Sequence, residues 1–387
     1  MRVCFATTAF PRWEGDGQAT FIWEAARAIS RRGIEVRVVA MHSPDTQAHQ
    51  VMNGMEIVRP PYWWPVKWEY LRRDGPAGLP IAWRKYPLAR VQILPFILVH
   101  TLAVARCARE SDLVHAQWTL SAGAASLGQW LHHRPILATV QGSDIFQVPR
   151  NPVGAWVTRK VLNQCNHITA LSHALKSATA ELNVPTDKIS IVPNGVDTGI
   201  FTPPRDAERE KIILYVGSLI PRKGLKYLLD AAPEVFRVLP NYRIVMIGDG
   251  PQKADLERQV EQLSVGDRVT FIPFRPSDEI REWMQRAQVL VLPSLEEGMG
   301  VVLLEAMACG TPVIGCRVGG IQDVITPEVG ALVPPADADS LSATLCDVLS
   351  NPSRWTNLSH AARDRAEKHY DWDVIAAQFT ALYDSIL

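Results

Sequence analysis

Twice in this chain a short apolar strand runs into a glycine-bearing loop and then a helical stripe, and this repeated order constrains the fold most. In the first copy Val3 to Thr7 read as a strand, and a loop holding Pro11, Gly15 and Gly17 follows. Ile22, Ala25, Ala26 and Ile29 then fall at helical spacing before Gly33 closes the helix, and Ile34, Val36 and Val38 alternate as the next strand. Such a unit builds a doubly wound α/β sheet. The order restarts beyond Phe201-Thr202-Pro203-Pro204-Arg205-Asp206, a Pro-rich polar stretch suited to a linker. There Ile212 to Gly217 form an apolar strand, Leu225, Leu228, Leu229 and Ala232 a helical stripe, and Ile244 to Gly248 another strand. Two Rossmann-like halves fit this better than one extended sheet. The expected boundaries are 1–203, 204–370 and a last helix at 371–387, with Ile375, Phe379 and Leu382 on one face.

With 387 residues and 47% hydrophobic content the chain exceeds what one compact core usually holds, which favours two domains and a cleft. Forty basic side chains balance forty acidic ones, so the global field that a nucleic-acid binder would use is missing, and any anion site must be local. Cys4, Cys107, Cys165, Cys309, Cys316 and Cys346 form no CxxC pair and have no His at metal-ligand spacing, which favours a reducing compartment over zinc or disulfides. Arg2 precedes a short apolar run that Pro11, Arg12 and Trp13 end, which reads as a strand rather than a signal peptide. Val91 to Ala105 is interrupted by Gln92, Pro95 and His100 and is shorter than the ~20 apolar residues of a membrane span, so no transmembrane helix is expected.

Residues 60–90 break the repeated order. Tyr62, Trp63, Trp64, Trp68, Tyr70, Trp83 and Tyr86 stand among Lys67, Arg72, Arg73, Arg84 and Lys85, with prolines opposing any long helix. Two readings stay open: an excursion packed on its own aromatics, or a loop that contacts the acceptor or an anionic membrane surface.

The most informative segment is LPSLEEGMGVVLLEAMACGTPVIG, Leu292 to Gly315. A strand gives way to a loop with Glu296, Glu297, Gly298, Met299 and Gly300, then to an apolar helix from Val301 to Ala308. The glycines admit a ligand close to the backbone, and the helix start offers free N–H groups to an anion. Glu305 interrupts that apolar helix; a buried carboxylate needs a hydrogen-bond partner, and either another protein group or ribose hydroxyls would serve. In VGSLIPRKGL, Val216 to Leu225, Arg222 and Lys223 precede a helix start where the dipole disfavours cations. Two surface cations are usually a solvated pair, but a diphosphate would compensate both, bidentately for Arg and as a point charge for Lys.

Together these residues resemble the retaining GT-B glycosyltransferases of glycosyltransferase family 4. The family signature EGxGxxxxEAMAxG matches Glu297 to Gly310, and its Arg-Lys pair after a glycine-ended strand matches Gly217, Arg222 and Lys223. The resemblance implies an α/β GT-B fold, two Rossmann-like domains facing a cleft, with the C-terminal helix packing back on the N-terminal domain. It implies that Glu297 contacts the transferred sugar, Glu305 the donor ribose and Arg222 with Lys223 the diphosphate. Gly298, Met299, Gly300 and Val301 would line the donor site, and Phe274 and Arg275, in FIPFR, would lie beside the nucleotide base. VPNGVD, Val192 to Asp197, resembles the turn that ends the family's first domain, although an Asn-Gly turn explains it without a ligand.

The N-terminal half resembles the family more loosely. The loop at Gly15 and Gly17 resembles the family's glycine-rich loop facing diphosphate and acceptor, and His115 in VHAQW and Gly142 and Asp144 in TVQGSDI resemble segments at strand ends beside the cleft. The family commonly has His before Gly142, whereas this chain has Gln141, which hydrogen-bonds but does not titrate near neutrality. Gln141 is nevertheless placed with the catalytic set.

The resemblance implies no metal or cofactor, the nucleotide-sugar being a substrate. The D-x-D strings at Asp337/Asp339 and Asp371/Asp373 read as helix N-caps. The expected partners are a nucleotide-sugar donor and a saccharide or lipid-linked acceptor, with peripheral membrane contact at the inner face and no nucleic acid. Rival readings are a GT-B epimerase and a noncatalytic nucleotide-sugar binder. A nicotinamide dehydrogenase fits worse, because the first loop's glycine pattern is incomplete and Val38-Val39-Ala40-Met41 ends without an acid.

Overall fold

The computed structural model describes every residue except Gln18, 73–81, 83, 84, 206 and 207. Arg73, Trp83, Arg84 and Asp206 therefore lie outside the described residues. By contacts the chain divides into Met1–Pro193 with Ile375–Leu387, and Asn194–Val374.

Among the described residues the first unit is built on β1 (Arg2–Ala6), β2 (Glu35–Val39), β3 (His49–Met52), β4 (Met55–Val58), β5 (Leu113–Gln117), β6 (Ile136–Val140), β7 (His167–Ala170) and β8 (Ile189–Ile191). Their order is β3-β4-β2-β1-β5-β6-β7-β8, parallel except for the β3/β4 pair. Every residue of β5 and β6 is buried, because helices cover both faces of a parallel sheet and leave no polar side to alternate with. The second unit has β9 (Ile212–Val216), β10 (Arg243–Ile247), β11 (Val269–Ile272), β12 (Val289–Leu292), β13 (Val313–Cys316) and β14 (Gly330–Val333). They lie in the order β11-β10-β9-β12-β13-β14, all parallel. Both Rossmann-like halves expected from the repeated order are present.

The contact boundary falls at Pro193, ahead of the Pro-rich stretch, because the turn after it packs on the second unit. The Val196 N–H bonds the Tyr370 carbonyl (2.8 Å), Val196 bridges Asp371, and the Trp372 ring lies against Gly195. The last helix, Trp372–Ile386, then contributes Ile375, Phe379 and Tyr383 to the core of the first unit. Tyr383, rather than the part-buried Leu382, completes that inward column at i, i+4, i+8.

The segment expected to be too short for a membrane span is a continuous helix, Pro87–Arg109, of 23 residues, long and apolar enough by length and composition alone. Gln92 and His100 do not interrupt it, because with Ala89, Phe96 and Val104 they form the face buried in the unit. Gln92 Oε1 accepts from the Tyr70 N–H at 3.0 Å, and its Nε2 donates to the Trp68 carbonyl at 2.5 Å. The aromatic excursion packs here: Tyr62, Leu71, Phe96, Ala82 and Ala89 are buried together with Trp63, Tyr70 and Tyr86 against them. Glu69, fully buried, accepts from the Tyr62 N–H at 2.8 Å and meets His42 Nδ1 at 2.5 Å. Trp64 and Trp68 remain exposed.

Candidate active site

In the second unit the strand ends bring three segments together. Gly217 directly follows β9, its N–H bonds the Ile247 carbonyl of β10 (2.9 Å), and a short turn, Pro221–Lys223, comes next. The Leu295 N–H donates to the Arg222 carbonyl (2.8 Å), which holds that turn against the loop after β12. This contact places Lys223 Nζ on Glu297 Oε2, in an ion pair whose side chains are only 15% and 12% exposed. Arg222, half-buried beside it, has no ion-pair or hydrogen-bond partner for its guanidinium among the described residues. One cation is thus committed to the carboxylate and the other is available to an anion.

Glu297 is supported through its backbone. Its carbonyl accepts from the Gly320 N–H at 3.2 Å, and a Cβ on Gly319 (φ +46°) would sit 1.9 Å from that oxygen. The Val-Gly-Gly run at 318–320 is therefore part of the site and went unread in the sequence, although paired glycines after a strand were its signal. Gly300, at φ +86°, starts the helix Val301–Ala308 in a left-handed conformation that L side chains rarely adopt. Met299 is buried and its sulfur takes the Asn194 N–H (3.3 Å). The Leu303 N–H bonds the Gly300 carbonyl (2.9 Å), so Val301 begins the turn with its N–H outside the helical ladder.

Glu305 projects from that helix with part of its surface still accessible, yet its carboxylate has no hydrogen-bond or ion-pair partner among the described residues. Its apolar surroundings push its pKa up to about 7. The sequence allows a protein partner across the core, and the described residues supply none, leaving the carboxylate open to a polyol. On β10's side the Phe274 N–H bonds Asp249 Oδ2 (2.9 Å), the ring is 59% exposed, and Arg275 lies 3.6 Å from Glu279. An exposed aromatic face beside a glycine-ended strand offers a stacking surface.

In the first unit, Gln141 and Gly142 follow β6. Asp144 is buried, with Oδ1 accepting from the Gln141 and Gly142 N–H groups (3.0 Å each) and Oδ2 from the Thr119 N–H (3.1 Å). Burial raises its pKa to about 6, against the pull of those donors, and its oxygens hold the loop in place. His115 is fully buried and neutral, pushed down to about 3 by desolvation. Its ring bonds Tyr383 Oη and Thr139 Oγ1, both at 2.7 Å, so both ring nitrogens face protein groups rather than the surface. The Gln141 amide nitrogen lies 2.7 Å from Gln117 Oε1, and the Gln117 amide nitrogen 3.0 Å from His115 Nε2. Gly15 (φ +85°) and Gly17 flank Asp16, which Arg12 holds at 2.8 Å while also reaching Asp45 at 2.5 Å.

Both D-x-D strings act as caps: Asp337 Oδ1 accepts from the Ser340 N–H (2.9 Å), and Asp371 Oδ1 from the Asp373 N–H (2.8 Å).

The profile described as Glycosyltransferase Family 4 matches residues 15–199, and that described as Glycosyl transferases group 1 matches residues 199–369. The chain belongs to glycosyltransferase family 4. This glycosyltransferase is 30% identical over 267 residues to the GDP-mannose-dependent alpha-(1-6)-phosphatidylinositol monomannoside mannosyltransferase of Mycolicibacterium smegmatis, a match covering 64% of this chain and 70% of that protein. Its fold superposes on sucrose-phosphate synthase of Thermosynechococcus elongatus with a TM-score of 0.82 at 23% identity, covering 100% of this chain and 99% of the other. Anabaena HepE in complex with UDP-glucose gives a TM-score of 0.73 at 17% identity, covering 100% of both chains. At these identities the structures establish the GT-B fold alone. The enzyme is thus a retaining glycosyltransferase of a typically metal-independent family and takes its sugar from a nucleotide-sugar.

Proposed function

We propose that the enzyme transfers a hexosyl unit from a nucleoside-diphosphate sugar to a hydroxyl of a saccharide or lipid-linked acceptor, in cell-surface polysaccharide or glycolipid assembly at the inner face of the membrane. The observation that carries this reading is the available Arg222 next to the Lys223–Glu297 ion pair, with the open Glu305 carboxylate on the helix that follows the Glu297 loop. Arg222 and Lys223 stabilise the charge that grows on the departing diphosphate. Glu297 orients the sugar and faces its developing positive charge, and Glu305 accepts from ribose hydroxyls. The acceptor hydroxyl attacks on the leaving group's face, and a donor phosphate oxygen takes its proton. Gln141 hydrogen-bonds a substrate hydroxyl.

The protein groups assigned to this reaction supply charge without a divalent ion, so turnover is expected to persist unchanged in excess EDTA. Loss of activity that Mg²⁺ or Mn²⁺ restores would point instead to a metal-bridged diphosphate.

The membrane part of the reading draws on the helix Pro87–Arg109. Opposite its buried face, Val91, Leu94, Leu98 and Leu102 form an exposed stripe, with Leu94 75% exposed. Trp64, Trp68 and Trp130 are exposed in the same unit, as are Lys67, Lys85 and Arg90, which suits an interface with anionic lipid. The related mannosyltransferase is named for a phosphatidylinositol acceptor. The enzyme should cosediment with phosphatidylglycerol vesicles and several-fold less with phosphatidylcholine, and Leu94→Asp with Leu98→Asp should abolish the difference. Equal partitioning of both proteins into the supernatant removes the membrane from this account.

A further inference from the structure

Either end of the Gln141 carboxamide could face substrate, and the buried hydrogen-bond chain behind it decides which. Tyr383, His115, Thr139 and Thr169 are each at most 2% exposed, and Gln117 is 1% exposed. They form a continuous sequence of hydrogen bonds from the last helix to the end of β6: Tyr383 Oη to His115 Nδ1 at 2.7 Å, His115 Nε2 to Thr139 Oγ1 at 2.7 Å and to the Gln117 amide at 3.0 Å, Gln117 to Gln141 at 2.7 Å. Thr139 continues to Thr169 at 2.6 Å.

Such a chain can run in two directions, related by turning each carboxamide through 180° and moving one imidazole proton. In the first, Gln141 donates to Gln117, Gln117 donates to His115 Nε2, and the ring proton on Nδ1 is donated to Tyr383 Oη. The phenol hydrogen is then left without an acceptor, since His115 is the one partner of that hydroxyl among the described residues. A fully buried O–H without a partner is destabilising. In the second, Tyr383 donates to Nδ1, and the proton on Nε2 is shared between Thr139 Oγ1 and the Gln117 oxygen. Thr139 can then donate to Thr169, Gln117 donates to the Gln141 oxygen, and the Gln141 amino group is left for substrate. Only the second direction satisfies the phenol.

We propose that Tyr383 is a positioning residue that, through the His115 tautomer and Gln117, turns Gln141 so that it offers substrate a hydrogen-bond donor. This rests on the reading that Gln141 meets substrate. It also explains how a non-titrating residue serves where the family commonly has a histidine: what is kept is an N–H aimed outward, not a charge.

Two measurements on the full-length enzyme separate the proposal from the reading beneath it. Long-range ¹H–¹⁵N spectra at pH 5.5, where burial keeps His115 neutral, should show His115 as the Nε2–H tautomer and Tyr383→Phe as a mixture. An Nδ1–H tautomer in the wild type overturns the proposal whatever the kinetics. In turnover, Tyr383→Phe should lower kcat about 3- to 10-fold and leave nucleoside-diphosphate affinity unchanged. Tyr383→Phe combined with Gln141→Ala should be no slower than Gln141→Ala alone. Additive losses would make Tyr383 a purely structural group and overturn the positioning role. Full activity of Gln141→Ala would sink the substrate contact itself while leaving the tautomer measurement to judge the chain.

Discussion

Replacing Arg222 and Lys223 together with alanine lowers kcat/KM by about 10²- to 10³-fold, the range seen when preorganised charge-stabilising donors are removed. The loss comes mostly in kcat, because the diphosphate gains charge as it departs and the two cations interact more strongly with the transition state than with the bound donor. Arg222 has its guanidinium uncommitted among the described residues, whereas Lys223 is held by Glu297 and in the proposed reaction would link leaving group and sugar through one ion pair. Breaking that pair leaves Glu297 with Ser294 Oγ, 3.5 Å away, as its remaining side-chain partner among the described residues. The double variant should therefore also lose a little stability. Steady-state kinetics beside calorimetric titration with the nucleoside diphosphate check both effects, and wild-type turnover in this variant would remove the cluster from the mechanism.

Glu305→Gln should move stability and binding in opposite directions. The ordinary value for this carboxyl is 4.5, and burial raises it to about 7 in the folded enzyme. The folded state therefore holds the proton more tightly than the unfolded chain. The associated stability is fully present below about pH 4.5 and is lost as pH rises through about 7, because the apolar surroundings then hold a charge. Glutamine has the same shape and never ionises, so at pH 8 the variant should be more stable by on the order of 1–3 kcal/mol, or several degrees in Tm. Below pH 4.5 the two proteins should melt alike. Nucleoside-diphosphate affinity at pH 8 should fall about 10- to 100-fold, since a hydrogen bond to a charged acceptor contributes ~1.5–3 kcal/mol. A variant that melts lower at pH 8 and binds normally would mean that Glu305 serves the protein core instead of the ribose.

Local order made most of this legible in the sequence. Strand, glycine loop and helix follow within a few residues of each other, so Gly217, Gly298, Gly300 and Glu305 could be placed before any tertiary contact was known. What escaped depends on contacts between distant segments. Lys223 and Glu297 are 74 residues apart, and nothing in either motif says that the cation assigned to phosphate would rest on the carboxylate assigned to sugar. Gln92 and His100 looked like interruptions of an apolar run, because a polar residue on a buried helix face reads like one on a loop until its partners are known. Gln92 is satisfied by backbone groups of residues 68 and 70, while His100 stacks on Phe96 and is kept neutral by burial. Leu382 reads as the inward residue because hydrophobicity alone selects leucine, whereas the column from Ile375 and Phe379 turns Tyr383 inward, where its hydroxyl meets His115.

The place of that last helix in the core also affects biosynthesis. Chains emerge from the ribosome N-terminus first, and domains generally fold as units as they appear. Here residues 194–374 must be made after the first unit's strands and before Ile375, Phe379 and Tyr383 exist to cover His115. Until then the first unit has an apolar gap over β5 and an imidazole without its phenol. The nascent N-terminal half is therefore expected to expose that gap until residues 375–383 have been made.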